Sequence, residues 1–195
     1  MNKLSAATIL LTIAQNTLNP GSTGTKIDNT DIAKKIVEGA EVARDREYYI
    51  RKNVAASSGS IEVLNSATQK AQGVTNFVNG ALDSGRVLVV TKMRIAHFAA
   101  AALADAIFTN TMSDPGVKNG EIKIMQGNKT LYNGPVSKFA NSAAGEAPAF
   151  GYVDLDTPFV VQPQEALTIS VFFAKATAAN QNIEIVLSGV ENQAR

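Results

Sequence analysis

"TPFVVQPQEALTISVFF", Thr157–Phe173, opens on a lead-in punctuated by Pro158 and Pro163 and then sets apolar residues on alternate positions. Leu167, Ile169, Val171 and Phe173 share one side, the period-two pattern of a strand with one buried face. Within it only Glu165 can act as acid, base or metal ligand. A chain that builds strands this regular with so little chemistry in them is selling no reaction there; shape is its first product.

The same pattern recurs on both sides of this segment. "SIEVLNS" places Ile61 and Val63 together, and "GRVLVVTKMRIAHF" is a long strand. Strict alternation in that strand would group Val87, Val89, Thr91, Met93 and Ile95 against Leu88, Val90, Lys92, Arg94 and Ala96. "GEIKIMQGNKTLYNG" reads as a hairpin turning at Gln126-Gly127-Asn128. "FGYVDLDTPFVV" follows, and "NIEIVLSGV" closes the series with Ile183, Ile185 and Leu187 opposite Glu184, Val186 and Ser188. About six to eight strands without intervening amphipathic helices imply an antiparallel β-sandwich, with the spacing of a single eight-stranded jelly roll. Two stretches stay open: Asn65–Gly85 as a loop with a weak helix, and "HFAAAALADAIFTN", whose composition is helical although it continues a strand.

Upstream the period is helical. In "NTDIAKKIVEGAEVARDREYYIRKN", Asn29 or Thr30 is an N-cap, and Ile32, Ile36, Ala40 and Ala43 mark one face that Val37 widens. The expected division is a helical N-terminal arm over 1–54 and a sandwich over 55–195. An arm this short cannot form its own core, so its stripe must be covered by the sandwich or by a neighbouring molecule. Ile32, Ile36, Val37, Ala40, Tyr48 and Tyr49 are the residues expected to make inter-subunit arm contacts. At the very start, Lys3 before the apolar Ala6–Ala14 has the outline of a signal peptide. Interrupting threonines and the lack of an A-x-A site favour a short amphipathic helix instead.

The chain has 195 residues, 45% hydrophobic and only 18% charged. The low charge suits a surface packed against copies of itself, and equally an alanine-rich globular domain. Eighteen basic and 17 acidic residues give a net charge of +1, which argues against nucleic-acid binding by bulk charge. Residues 1–54 carry eight basic and six acidic residues, so this is no polybasic arm. There is no cysteine, no tryptophan and a single histidine, His97. A hydrolase triad or a histidine-rich metal site therefore lacks its parts, and His97 reads as a core or strand-end residue. Asp154 and Asp156 are weak candidates for a Ca²⁺ site, with Glu146 or Asp114 to complete it; no cofactor and no small-molecule substrate are expected. No apolar run reaches the length of a membrane span.

The section from "NGEIKIMQGNKTLYNGPVSKF" through "TPFVVQPQEALTISVFF" to "IEIVLSG" resembles the jelly-roll capsid proteins of viruses, particularly tailless bacteriophages. The likeness lies in a hairpin leading into a P-x-x-x-F segment, Pro135 to Phe139, and a late strand after the polar turn Gln162 to Glu165. It covers about the last 110 residues. The resemblance implies a structural, self-assembling virion subunit, either a capsid shell protein or a vertex or decoration protein. Its partners would be copies of itself and other virion proteins, joined through the N-terminal arm, with production in the host cytoplasm. At this length only a single roll fits. A carbohydrate-binding or adhesin-like sandwich is the alternative, although 6% aromatics without tryptophan leave few platforms for sugars. A cupin-like enzyme would need more than one histidine.

Overall fold

The computed structural model describes residues 5–54, 56–140 and 151–194. Two helices, α1 (Ala6–Leu18) and α2 (Thr30–Val37), precede the first strands β1 (Glu41–Asn53), β2 (Gly59–Leu64) and β3 (Leu88–Ala99). A short helix, α3 (Pro115–Lys118), leads into β4 (Glu121–Gln126) and β5 (Lys129–Pro135). The last three strands are β6 (Val153–Val161), β7 (Leu167–Phe173) and β8 (Gln181–Ala194). They form two four-stranded sheets, β1-β8-β3-β6 (sheet A) and β2-β7-β4-β5 (sheet B), with every neighbouring pair antiparallel. The molecule is thus a mainly β antiparallel sandwich with helices at its N-terminal side, as the alternation implies.

Between the sheets lies one apolar core. Sheet B contributes Ile122, Ile124, Leu167, Ile169 and Val171; sheet A contributes Leu88, Val90, Met93, Ile95, Ile183, Ile185 and Leu187. The β4–β5 hairpin turns at Gly127–Asn128, between the paired Gln126 and Lys129, where the sequence places it. Asn65–Gly85 contains no helix; it is a long connection held by isolated bridges. Phe77 anchors it, 1% exposed, with its ring centroid 5.0 Å from that of Tyr48. "HFAAAALADAIFTN" continues β3 to Ala99, then turns back so that Thr109 bridges His97.

The helical arm is shorter than expected. α2 stops at Val37, and Gly39 follows at φ +76°, a left-handed exit in which the Gly39 N–H bonds the Ile36 carbonyl. The stripe through Ala40 and Ala43 therefore does not continue as helix. Glu41–Asn53 is instead β1, paired along its whole length with β8 from Glu41↔Ala194 to Asn53↔Asn182. The boundary expected at residue 54 thus moves to the α2–β1 junction. Period two was present in this segment, with Tyr48 and Ile50 facing in and Tyr49 and Arg51 facing out, but the preceding helical spacing hid it.

Strict alternation also fails in β3. The register against both β6 and β8 shifts between Val90 and Lys92. A bulge inserts one residue and reverses the faces beyond it. Leu88 and Val90 join Met93 and Ile95 inside, while Val87 and Val89 face outward. Gly189 lies opposite Val90, and a Cβ there would overlap the Val89 carbonyl oxygen. Only glycine lets β8 approach the bulged strand so closely. Gly189→Ala is expected to destabilise the protein by about 1–3 kcal/mol, measured by denaturant unfolding. A variant as stable as the parent would mean that the bulge relaxes without glycine.

Candidate functional site on the outer face of sheet A

The bulge gives sheet A an outer face with two halves. One half has an apolar floor of Val87, Val89, Val160 and Val190, and the arm sits on it. α1 supplies Leu10, Ile13 and Ala14; α2 supplies Ile32, Ala33 and Ile36; Ile27 fills in from the connector between them. Ser5 caps α1 by accepting from the Thr8 N–H, and Asn29 caps α2 by accepting from Asp31 and Ile32 N–H groups. The two helices thus form a hairpin whose inner faces complete a second core.

Two buried glutamines hold the connector to both sheets. The Gln126 side chain, at the end of β4, donates to the carbonyls of Gln162 (3.0 Å) and Glu165 (2.8 Å) and accepts from the Gln162 N–H (2.9 Å). The Gln162 side chain donates to the Lys26 carbonyl and accepts from the Asp28 N–H, both at 3.1 Å. The two residues are 3% and 5% exposed, and such a buried, satisfied amide pair fixes geometry sharply. Thr17 completes the latch: its hydroxyl donates to the Ile13 carbonyl and accepts from the Ile27 N–H.

The other half of the face is polar. Glu184, 3% exposed, accepts from Arg51 Nε at 2.6 Å and from Arg94 Nη1 at 2.5 Å. Arg51 also donates to the Gly73 carbonyl and Arg94 to the Phe108 carbonyl, so the ion triad pins two loops to the sheet. The Arg51 guanidinium lies 5.2 Å from the ring centroids of both Tyr49 and Phe108. Burial, with a hydrogen bond to Glu47, pushes the Tyr152 hydroxyl up to about 12. Between the halves runs a groove of about 1570 Å³, walled by Ile9 and Ile13 on one side and by Asp45, Lys92 and Asp154–Pro158 on the other. A smaller recess of about 540 Å³ opens beside the glutamine latch, at Asp28 and Lys129.

The residues expected to contact a neighbour fall in different environments. Ile32 and Ile36 are 4% and 8% exposed and covered by their own chain, and Tyr48 is buried in the inter-sheet core. There the Tyr48 hydroxyl donates to Glu191 at 2.7 Å, and burial raises its pKa to about 12. A stripe that met a neighbour would let Ile36→Asp block assembly and spare the sandwich; covered as it is by its own chain, Ile36→Asp would injure the subunit itself. Val37 and Ala40 are exposed and Tyr49 is half-buried, so these three alone remain open to a neighbour. Asp154 and Asp156 do not converge on one point: Asp154 lies 3.9 Å from Lys92 Nζ and Asp156 lies 3.1 Å from Lys138 Nζ. No cluster of three metal-capable side chains exists among the described residues, and Glu146 lies outside them. Asp114 is occupied elsewhere, capping α3 at the Val117 N–H and accepting from the Ala178 N–H.

His97 is buried at 2% exposure, with Nε2 2.5 Å from Gln181 Oε1. Gln181 Nε2 donates onward to the Ala179 carbonyl, which turns Oε1 toward the ring. Burial pushes the His97 pKa down, against the opposing Gln181 bond and the Asp114 charge. The glutamine latch and the ion triad were not found from sequence. Gln126 and Gln162 stand out only as polar residues closing apolar runs, and their pairing across 36 residues is a product of the fold.

No protein-family model matches the chain, and a search of curated proteins gives no match.

Gln162→Leu removes the bonds to Lys26 and Asp28. Hydrogen exchange in residues 6–37 is expected to speed up about tenfold or more while β7 and β8 keep their protection; unchanged exchange in the arm would show that the latch does not hold it. The pH dependence follows from His97. Its folded pKa lies below the unfolded value of 6.5, so the unfolded chain binds the proton first. Stability should be full above about pH 6.5 and fall as the pH drops through and below that value. His97→Gln should flatten that limb in pH-dependent unfolding; an unaltered slope would assign it to other groups.

Proposed function

We propose that the chain is a structural, self-assembling virion subunit, a capsid shell protein built on a single jelly roll. The observation that carries this reading is the strand order. The first strand pairs with the last, β1 with β8, and the chain crosses between the sheets at every step except the β4–β5 hairpin. Strand orders 1-8-3-6 and 2-7-4-5 support reading the sandwich as a jelly roll, an architecture that viral shells share with lectin domains and cupins.

The surfaces support assembly through faces and ends of the sandwich. The β1 edge is closed over Glu47–Arg51. Asn76 accepts from the Tyr49 N–H and donates to the Glu47 carbonyl, and the Arg51 N–H bonds the Val74 carbonyl. Arg44, Asp45 and Arg46 lie along the rest of that edge, and Pro158 leaves β6 one backbone donor short. The ionisable groups gathered on sheet A bond to one another and to loop carbonyls, which is the chemistry of a rigid building block. Partners on this reading are copies of the chain and other virion proteins, as a shell subunit first and a decoration or vertex protein second.

The purified full chain should form closed particles or rings of uniform size, seen by light scattering and electron microscopy over a rising concentration series. A monomer at every concentration overturns the reading. Glycan binding by that monomer would put a carbohydrate-binding module in its place.

A further inference from the structure

We propose that His97 is an acid-operated catch: when its ring takes up a second proton, the end of the sandwich built from residues 100–109 and 174–180 opens while the two sheets stay folded. The device is a property of the folded chain alone and holds whether or not copies assemble.

His97 is the single histidine of the chain, and histidine is the side chain whose ordinary charge change falls between about pH 5 and 8. It stands two residues beyond the buried Ile95, on the same side of β3, and opposite Ile183 of β8. At 2% exposure it closes the inter-sheet core where the strands give way to loops. Gln181 Nε2 donates to the Ala179 carbonyl at 2.7 Å, so Gln181 Oε1 meets the ring, and the hydrogen between them belongs to His97 Nε2. The neutral ring is satisfied at Nε2, and a second proton must go to Nδ1.

The surroundings do little for that proton. Lys92 and Arg94 of β3 and Glu184 of β8 lie on the outer face of sheet A, where Arg94 bonds Glu184. Asp105 and Lys175, on the two loops, are exposed, and Lys118 of α3 is half-buried. Among the described residues, Asp114 is the charged group that acts on the ring. Its Oδ1 accepts from the Val117 N–H and its Oδ2 from the Ala178 N–H. Burial pushes the Asp114 pKa up, but these bonds, with one from Gly116, outweigh it and hold the carboxylate below its ordinary range. Asp114 therefore stays ionised where His97 titrates, and the ring is the group that changes.

The sign follows from burial. Burial pushes the His97 pKa below its ordinary 6.5, against the Gln181 bond and the Asp114 charge. Once the end opens and water reaches the ring, the ordinary value returns, so the open form binds the proton first. Opening grows as the pH falls through and below 6.5.

This end is also lightly built. The His97 N–H bonds the Thr109 carbonyl and the Ala100 N–H bonds the Asn180 carbonyl, both at 2.8 Å. Asn182 Nδ2 donates to the Ala100 carbonyl, also at 2.8 Å. Beyond these ties, Ala101, Ala102, Ala104, Ala178 and Ala179 are exposed, and Ile107 is 71% exposed. A segment with so few buried apolar contacts opens at a cost below that of unfolding the whole domain.

Hydrogen exchange of the full chain tests the catch at about pH 7.5 and about pH 5, with rates expressed as protection factors so that the intrinsic pH dependence of exchange drops out. Protection at Ala100 and Ala178 should fall severalfold at the lower pH while β4 and β7 keep theirs. His97→Gln should make protection at those two amides the same at both pH values. Gln181→Glu, which sets a carboxylate against Nε2 and favours the imidazolium, should hold the end shut in acid, and it decides the matter if His97→Gln does not fold. Equal protection at both pH values in the parent overturns the catch. So does a loss that both variants retain, or one shared in full by β4 and β7, which is unfolding of the whole domain.

Discussion

The close approach of β8 to the bulge in β3 is the constraint on which the rest of the structure depends. Because a side chain at position 189 would collide with the Val89 carbonyl, glycine there permits β3 to carry an extra residue between Val90 and Lys92. That residue reverses which side chains look inward. Leu88 and Val90 still reach the inter-sheet core together with Met93 and Ile95, and Val87 and Val89 are left on the outside. Without the reversal, the face that buries Leu88 and Val90 would also have to bury Lys92 and Arg94, and Met93 and Ile95 would turn outward. The irregularity keeps the charges out of the inter-sheet core and divides the outer face into an apolar and a polar half.

From that floor the electrostatics of the molecule follow. Apolar side chains at one end of sheet A call for the helical hairpin, and the hairpin leaves the other end to Glu184 and its two arginines. Glu184 sits almost fully out of water, and two guanidiniums give the carboxylate the pairing that burial demands. Each guanidinium also donates to a loop carbonyl, Arg51 to Gly73 and Arg94 to Phe108. The polar half of the face is therefore a clamp on the long connections, and the apolar half is a seat for the arm. The glutamine latch joins the two sheets to that seat.

The sandwich was legible because β4 and β7 alternate cleanly with one buried face each, and because Ile183, Ile185 and Leu187 alternate with other residues in β8, although both faces of that strand are buried. The hairpin turn at Gly127 and the buried state of His97 were legible for the same local reasons. β1 was not, since Ile32, Ile36, Ala40 and Ala43 keep helical spacing straight through a glycine whose left-handed geometry ends the helix. The β3 bulge was invisible because nothing in "LVVTKMR" breaks alternation; the irregularity is set by a glycine about 100 residues downstream. The arm residues were identified as apolar and in need of cover. Whether that cover comes from the same chain depends on the distant valines, which local periodicity does not reveal. Asp154 and Asp156 looked like a pair in sequence, and the fold directs each toward a different lysine.

The pairing of β1 with β8 has a consequence for the order in which the molecule is made. Residues 6–37 leave the ribosome before the strands that seat them, since that seat includes Val160 and Val190, and β1 pairs along its length with residues 181–194. The helices and the first strand must wait for almost the whole chain before they have anywhere to go. Contacts between such distant segments close slowly, and during that interval an uncharged helix is available to any other nascent chain nearby. On a transcript read by many ribosomes, residues 6–37 of one copy emerge near other copies before their own residues 181–194 have been made. The rate of translation then sets how often a helix first encounters a sister chain.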